Sequence, residues 1–403
     1  MKILAIETSC DDTCVAILEI RNFKLEILSN IVSSQVNLHA KYGGVYPFMA
    51  KREHQRNLPI VFKKALKKAK NPKINLIAVT IGPGLEPCLW VGVNFAKDLS
   101  QSLNLPLVPV NHIEAHILAN WLVPIGSKSK ITPSPKFGGE QNSKLFPAIC
   151  LVVSGGHTQL ILMRGFGNYK ILGETRDDAA GECFDKVARI LGLGYPGGPI
   201  VAKMATKFKM QNIKCKIKLP RPMIYQKNYD FSFSGLKTAV LYLVKNLTLG
   251  TRAKRRVEKN ECSLTNNKLL TIEQKRETCA EVQQSIIDVL IHKTIKAAKE
   301  YKVKTIILGG GVAANEELRK QFKKACLNLK FKHLVPPKNL CTDNAAMIAV
   351  AGYFHTRAKR RVEKVAETSF FSRLASGSTN ECSSTRQEKR KPESVEADAN
   401  QRI

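Results

Sequence analysis

"FPAICLVVSGGHTQLILMRG", residues 146–165, follows the same outline as "MKILAIETSCDDTCVAILEI", residues 1–20. Each stretch is an apolar run, a turn of small and polar residues, and a second apolar run. In the first the turn spans Glu7–Thr13, with its acids and hydroxyls; in the second it is a glycine turn. Both read as strand–turn–strand. Two similarly built domains are therefore expected. Strands and helices alternate beyond these hairpins. A helix is expected near Glu53–Lys70, with apolar residues at Leu58, Val61, Phe62 and Leu66. "INLIAVTIGPGLEP" (74–87) reads as a buried strand entering a Gly-Pro-Gly loop. "WVGVNFAKDLSQSL" (90–103) reads as a helix and "PLVPV" (106–110) as a strand, with His112 opening the next helix. "VKTIILGGGVAANEELRKQF" (303–322) is strand, glycine run and helix, and "CTDNAAMIAVAGYFHTRA" (341–358) closes the globular part as a helix. The alternation places the chain in the α/β class.

The bulk numbers fit that reading. A chain of 403 residues is too long for one compact core and suits two domains. A hydrophobic fraction of 44% argues against a disordered chain. The formal charge of +31 points to a polyanionic partner, with nucleic acid first and a solvated lysine-rich surface as the alternative. No apolar run approaches the ~20 residues of a membrane helix. The opening residues lack a signal-peptide layout, and 11 scattered cysteines without a CxxC pair fit a reducing cytoplasm. Cys10 and Cys14 read as small apolar residues.

Some segments stand outside the fold. Residues 125–144 are polar and rich in Gly, Pro, Ser and Lys, and read as a loop insertion. "TRAKRRVEK" occurs at 251–259 and again at 356–364, and "NECS" at 260–263 and 380–383. A separation of 105 residues is too long for a solenoid repeat. A short DNA element, inserted twice and translated, accounts for the identity; a pair of basic RNA-contacting arms is the alternative. On the inserted-element reading the first copy is expected in a surface loop between Leu247 and Leu270. The second belongs to a polar basic tail, 358–403, expected to be disordered. From Arg357 onward there are 11 Lys/Arg against 7 acids, so most of the positive charge belongs to the globular part.

Three constellations carry chemistry. In "HIEAH" (112–116), His112 and His116 stand four apart, which puts both imidazoles on one helix face within reach of one ion. Metalloproteases use this spacing with the glutamate directly after the first histidine. Here Glu114 lies about 200° around the helix from His112, turned away from such an ion. Spacing alone leaves a metal site and a polar helix face both open. The glycine loops "VVSGGHT" (152–158), "LGYPGGP" (193–199) and "LGGGVAAN" (308–315) form the second set. Together they suggest a nucleotide-binding cleft between two domains. Acids form the third: Asp11 and Asp12 in the first turn; Asp177; and Asp178, Glu182 and Asp185, spaced as one face of a helix start. Asp343 precedes the last helix as an N-cap or a ligand, and local evidence favours the cap.

Taken in order, "IETSCDDT" (6–13), "SSQVNLHAKYGGVYP" (33–47), "GPGL" (82–85), "HIEAH", "LVVSGGHTQL" (151–160), "DDAAGECFDKVARILGLGYPGGP" (177–199), "RPM" (221–223) with "DFSFSGLKTA" (230–239), "GGGVAAN" (309–315) and "CTDNAAMIA" (341–349) resemble one family closely. It is the tRNA N6-adenosine threonylcarbamoyltransferase family, formerly described as glycoproteases. The resemblance implies an actin/Hsp70/sugar-kinase-like fold, with two ribonuclease-H-like domains around a nucleotide cleft. The first domain would be 1–111, completed by the helix near 342–357. The second would be 112–341, with insertions near 125–144 and 247–270. The implied reaction moves a threonylcarbamoyl group from threonylcarbamoyl-AMP to N6 of the adenosine next to the anticodon, in tRNAs reading codons that begin with A. The implied metal ligands are His112, His116 and Asp343, which reverses the local preference for a cap at Asp343. The metal would be iron (Fe2+), with zinc as second choice, in keeping with two imidazoles and a carboxylate. The adenylate would contact Val152, Val153, Ser154, Gly155, Gly156, Asp185, Gly198 and Asn315. No catalytic residue is singled out beyond the metal site and the candidates Asp11 and Asp12.

By resemblance the partners are tRNA, a paralogous non-catalytic subunit, a small ATPase subunit and a separate enzyme that makes the adenylate. No membrane is implied, and the place of action is the cytoplasm. Lys237 and Lys51–Arg52 are candidates for the tRNA surface. A metalloprotease, or a small-molecule kinase or ATPase of the same fold, are the competing functions. Two positions depart from the family pattern: Phe48 stands where a glutamate is usual, and Glu86-Pro87 where small residues are usual.

Overall fold

The computed structural model describes residues 1–21, 24–122, 145–258 and 270–358. Residues 22–23, 123–144 with the whole insertion at 125–144, residues 259–269 and the tail from 359 lie outside the described residues. The chain divides into two units. Unit 1 holds Met1–Ser33, Pro47–Ala115 and the chain from Asn344 on; unit 2 holds Ser34–Tyr46 and His116–Asp343.

Unit 1 is built on strands β1 (Lys2–Glu7), β2 (Asp12–Arg21), β3 (Lys24–Ser34), β4 (Leu76–Gly82) and β5 (Leu107–Asn111), in the order β3-β2-β1-β4-β5. The expected hairpin is β1–β2, antiparallel, with Ile6 opposite Val15 and Glu7 opposite Cys14. β4 joins β1 in parallel and β5 joins β4 in parallel. Central strands of this kind are covered on both faces, which is why β1 and β4 are nearly continuous apolar runs rather than alternating ones. Leu4, Ile6, Val15, Ile17, Ile77 and Val79 form a core with Leu58 and Val61 of helix α2 (Pro47–Lys68) and Val93 and Ala96 of helix α3 (Glu86–Leu103). Helix α2 follows the short helix α1 (Val36–Ala40) and starts six residues before the helix expected at Glu53. Pro87 sits in the first turn of α3, where the missing N–H costs nothing.

Unit 2 repeats the plan. Its strands β6 (Ala148–Val153), β7 (Thr158–Gly165), β8 (Asn168–Glu174), β9 (Thr305–Gly309) and β10 (Lys332–Leu334) follow the order β8-β7-β6-β9-β10. β6–β7 is antiparallel, while β6–β9 and β9–β10 are parallel. In chain order both sheets run third-second-first-fourth-fifth. This duplicated ribonuclease-H-like arrangement is the actin/Hsp70/sugar-kinase-like α/β fold. Between strands lie helices α4 (His112–Leu118), α5 (Ala180–Ile190), α6 (Gly197–Lys209), α7 (Ser234–Glu258), α8 (Ile272–Glu300) and α9 (Glu316–Asn328); α10 (Ala345–Ala358) returns to unit 1. Ile149, Leu151, Val153, Leu160 and Leu162 pack with Phe184, Val187, Val201, Ile286 and Leu290 in its core.

One expectation is overturned here. The first repeat copy does not begin in a loop: residues 251–258 continue helix α7. Its Ala, Lys, Arg and Glu are strong helix formers, and the segment has no Gly or Pro to stop the helix. Nine cysteines among the described residues are free thiols, seven of them buried. No helix of the described residues is long and apolar enough to cross a membrane.

Candidate metal and nucleotide site

Helix α4 starts directly from the end of β5. Asn111 makes the change of structure: its Oδ1 accepts from the N–H groups of Ile113 at 2.8 Å and Glu114 at 3.1 Å, as an N-cap does. This cap fixes His112 in the first turn and His116 one turn later, both buried. His116 Nε2 lies 3.2 Å from Asp343 Oδ1. His112, His116 and Asp343 each offer one ligand atom, and the three atoms lie within 4.8 Å of one another. Asn344 Oδ1 accepts from the N–H of Met347 at 3.1 Å, as an N-cap of the last helix does, and the Asp343 carboxylate one residue earlier reaches the histidine cluster.

The residue that sequence reasoning passed over is Glu7. It ends β1 fully buried. Its Oε1 accepts from the Ser9 N–H at 2.5 Å, and its Oε2 accepts from the Thr80 hydroxyl at 2.6 Å and faces His112 Nδ1 at 3.0 Å. Ser9 Oγ is 3.3 Å from the same nitrogen. A carboxylate surrounded by donors assigns the proton to Nδ1, so Nε2 is the nitrogen turned to a cation. A strand-ending glutamate in an otherwise apolar run was the available signal, because a buried carboxylate needs partners. The donor set and the carboxylate behind it fit a divalent ion of the iron or zinc kind.

Glu114 is turned elsewhere. Its Oε2 is 2.6 Å from Nε2 of His355 on α10. The first turn, with Asp11 and Asp12 half-buried, is braced by the GPGL loop: Leu85 N–H donates to Ser9 O at 2.7 Å. A Cβ on Gly84 would sit 2.6 Å from that same carbonyl oxygen, so this position needs glycine. Burial, reinforced by the Asp11 charge, pushes the nearby Cys88 thiol up to about 12.

The proposed adenylate contacts gather in unit 2 around the end of β6. Val152 and Val153 are buried in the strand, and Ser154 turns the chain, with its Oγ accepting from the His157 N–H at 3.1 Å. Gly155 and Gly156 are exposed, and a Cβ added at either meets nothing within 4 Å. Gly181, in the first turn of α5, donates its N–H to Ser154 O at 3.2 Å. Asp185 Oδ1 accepts from the Gly197 N–H at 2.6 Å, which brings the PGGP loop to α5, and Gly198 beside it has open space. On the far side Gly310, at φ +88°, lies so close to Val153 O that any side chain would collide. Asn315 caps α9 through Leu318 N–H at 3.0 Å and donates to Gln283 Oε1 at 2.9 Å.

The acidic stripe is corrected. Asp178 precedes α5 rather than lying on it, because the helix begins at Ala180. Lys186 pairs with Asp178 at 2.5 Å and Glu182 at 2.8 Å, and Lys237 with Asp178 at 3.1 Å. Asp177 anchors the 232–234 segment. Burial alone would raise its carboxyl, but hydrogen bonds from the Ser232 and Ser234 hydroxyls and the Phe233 and Ser234 N–H groups hold it below the usual aspartate range. Phe48 is 74% exposed near the start of α2, where Lys51 is half-buried and Arg52 exposed.

A family profile described as tRNA N6-adenosine threonylcarbamoyltransferase matches residues 26–350. A protein of that name from Thermosipho africanus is 47% identical over 355 residues, covering 88% of this chain and 94% of its own. One from Dehalococcoides mccartyi is 46% identical over 357 residues, covering 88% and 93%.

Proposed function

Because the chain belongs to the tRNA N6-adenosine threonylcarbamoyltransferase family, and so is a tRNA-modifying transferase, we propose a finer reading. Threonylcarbamoyl-AMP is the donor, and N6 of the adenosine next to the anticodon, in tRNAs reading codons that begin with A, is the acceptor. The observation that carries it is the His112–His116–Asp343 cluster, with Glu7 fixing the first imidazole.

The chemistry asks more for positioning than for activation. The N6 lone pair is delocalised into the adenine ring, but the mixed anhydride offers AMP as a good leaving group. The new bond joins N6 to the carbamoyl carbon, the bond from that carbon to the phosphate oxygen breaks, and N6 loses a proton, for which Asp11 and Asp12 are the candidate acceptors. Alignment and stabilisation of developing charge then supply the rate. His112, His116 and Asp343 would hold a divalent ion, iron first and zinc second, which would supply Lewis-acid stabilisation of that charge. The Ser154–Gly156 turn, Asp185, Gly198 and the main chain of Val152 and Val153 hold the adenylate. Asn315 supports this site by capping α9 beside the 309–315 glycine loop. The target base stands in an unpaired loop, so little stacking is lost in reaching it.

The paralogous subunit, the small ATPase and the adenylate-making enzyme are the expected partners, in a reducing cytoplasm that suits the free thiols. The metalloprotease reading is disfavoured by Glu114, which is engaged with His355. A kinase of this fold would have no use for the histidine pair. The test is metal per chain, together with transfer of labelled threonylcarbamoyl to tRNA, for wild type and His116→Ala with partners present. Metal near one per chain, lost with transfer in the variant, is expected. A variant that keeps its metal would sink the assignment.

A further inference from the structure

Residues 213–228 have no regular secondary structure, yet their backbone is held all along helix α8. Glu277 accepts from the N–H groups of Lys216 at 2.5 Å and Ile217 at 3.2 Å, and Glu281 from that of Leu219 at 3.1 Å. Arg221 is clasped by Glu281 and by Asp288 at 3.0 Å. Further on, Lys293 donates to Asn228 O at 3.1 Å and Lys296 to Lys227 O at 2.6 Å. Acids of α8 thus take the segment's N–H groups, and its lysines take the carbonyls.

This arrangement leaves the outer face strongly basic. Burial alternates along 214–219: Lys214, Lys216 and Lys218 are exposed, Cys215 and Ile217 half-buried and Leu219 buried. In extended chain, alternate residues share one face at a repeat of about 6.6 Å. The carboxylates that might neutralise these lysines are spent on backbone and on Arg221. Among the described residues, Lys214, Lys216, Lys218 and Lys227 take part in no ion pair, whereas Lys237 does. Tyr225 is 86% exposed, held edge-on to His292 with ring centroids 5.7 Å apart.

We propose that 213–228 is an RNA-docking ridge, which rests on the tRNA-modifying reading and names where on unit 2 the tRNA is gripped. The lysine row tracks phosphates without regard to sequence, and Tyr225 stacks on a base of an unpaired stretch. A charged row beside an aromatic ring whose backbone is already fixed suits a polyanion that also carries flat rings. An anionic lipid surface would use the charge but has no partner for the ring.

The test uses the full chain with its partners and measures tRNA binding against salt by fluorescence anisotropy. For the triple variant Lys214→Ala, Lys216→Ala, Lys218→Ala, the slope of log affinity against log salt is expected to fall by about 2–3. KM for tRNA should rise while kcat and donor binding stay unchanged. The matching triple arginine variant should keep the slope, and Tyr225→Ala should weaken binding roughly tenfold. An unchanged slope in the alanine variant, when wild type binds tRNA, overturns the ridge and leaves the tRNA reading standing. A wild type that binds no tRNA overturns both. If the alanine variant loses only its binding to phosphatidylglycerol vesicles, the ridge is a lipid surface and the proposal fails.

Discussion

Glu7→Gln replaces one oxygen by an NH2 group in a site where three donors face the carboxylate: Ser9 N–H on one oxygen, Thr80 hydroxyl and His112 Nδ1 on the other. The amide has two placements. With NH2 toward Ser9, two donors face each other in a buried place, at a cost of about 1–3 kcal/mol. With NH2 toward His112, the hydroxyl of Thr80 can rotate to accept, but the imidazole must release its Nδ1 proton and carry it on Nε2. That tautomer has no lone pair to offer a metal. Loss of such an outer-shell partner typically weakens metal binding by about 10–100-fold, or roughly 1.4–2.7 kcal/mol. The assay is competition for zinc or ferrous iron against a chromophoric chelator, with thermal unfolding of the metal-free protein as the control for fold. The expected result is a variant whose metal-free stability falls by no more than the donor clash and whose metal affinity drops at least tenfold. Wild-type metal affinity in Glu7→Gln would refute the idea that Glu7 sets the tautomer of His112.

Two further outcomes are read first as changes in stability. A Cβ on Gly309 would stand 2.7 Å from the His116 carbonyl oxygen, a backbone atom that cannot swing aside. Gly309→Ala should therefore lower stability by roughly 1–3 kcal/mol in urea titration and loosen metal binding with it; a neutral result would mean that α4 and β9 separate easily. Lys293 is fully buried, and burial first, then the neighbouring Lys296 charge, brings its ammonium down to about 8. Its folded value lies below its unfolded one, so the unfolded chain holds more protons between about pH 8 and 10.5, and this lysine makes the fold more stable as pH rises through that window. Lys293→Met should abolish that rise, worth up to roughly 3 kcal/mol; identical pH profiles for variant and wild type would contradict it.

The two hairpins were legible because each run is apolar enough to demand burial and each turn is polar enough to demand water. The i,i+4 histidines were legible for a local reason too, since one helical turn brings them together. Asp343 was not: its carboxylate meets His116 only through the tertiary fold, and the local rule pointed to a cap that Asn344 in fact supplies. Only the family resemblance named it. Glu7 escaped because its partners come from positions 9, 80 and 112, on three different elements. Asp178 was misplaced by two residues, enough to turn a helix stripe into a loop acid paired with Lys186 and Lys237. Reading the repeat copy as an inserted element points to a loop, but insertion says nothing about conformation, and the Ala, Lys, Arg and Glu of 251–258 carry helix α7 onward.

The buried thiols have a practical consequence. Burial pushes Cys326 up to about 12, burial with the partly opposing Lys275 does the same for Cys279, and Cys150, wholly enclosed in β6, goes higher still. At neutral pH almost none of these is thiolate, so an alkylating reagent reacts only when the structure opens. Labelling rates at Cys150, Cys279 and Cys326 thus time the opening of unit 2, and Cys88 times unit 1. The native chain carries its own clocks for local unfolding in both halves, with no probe to be engineered.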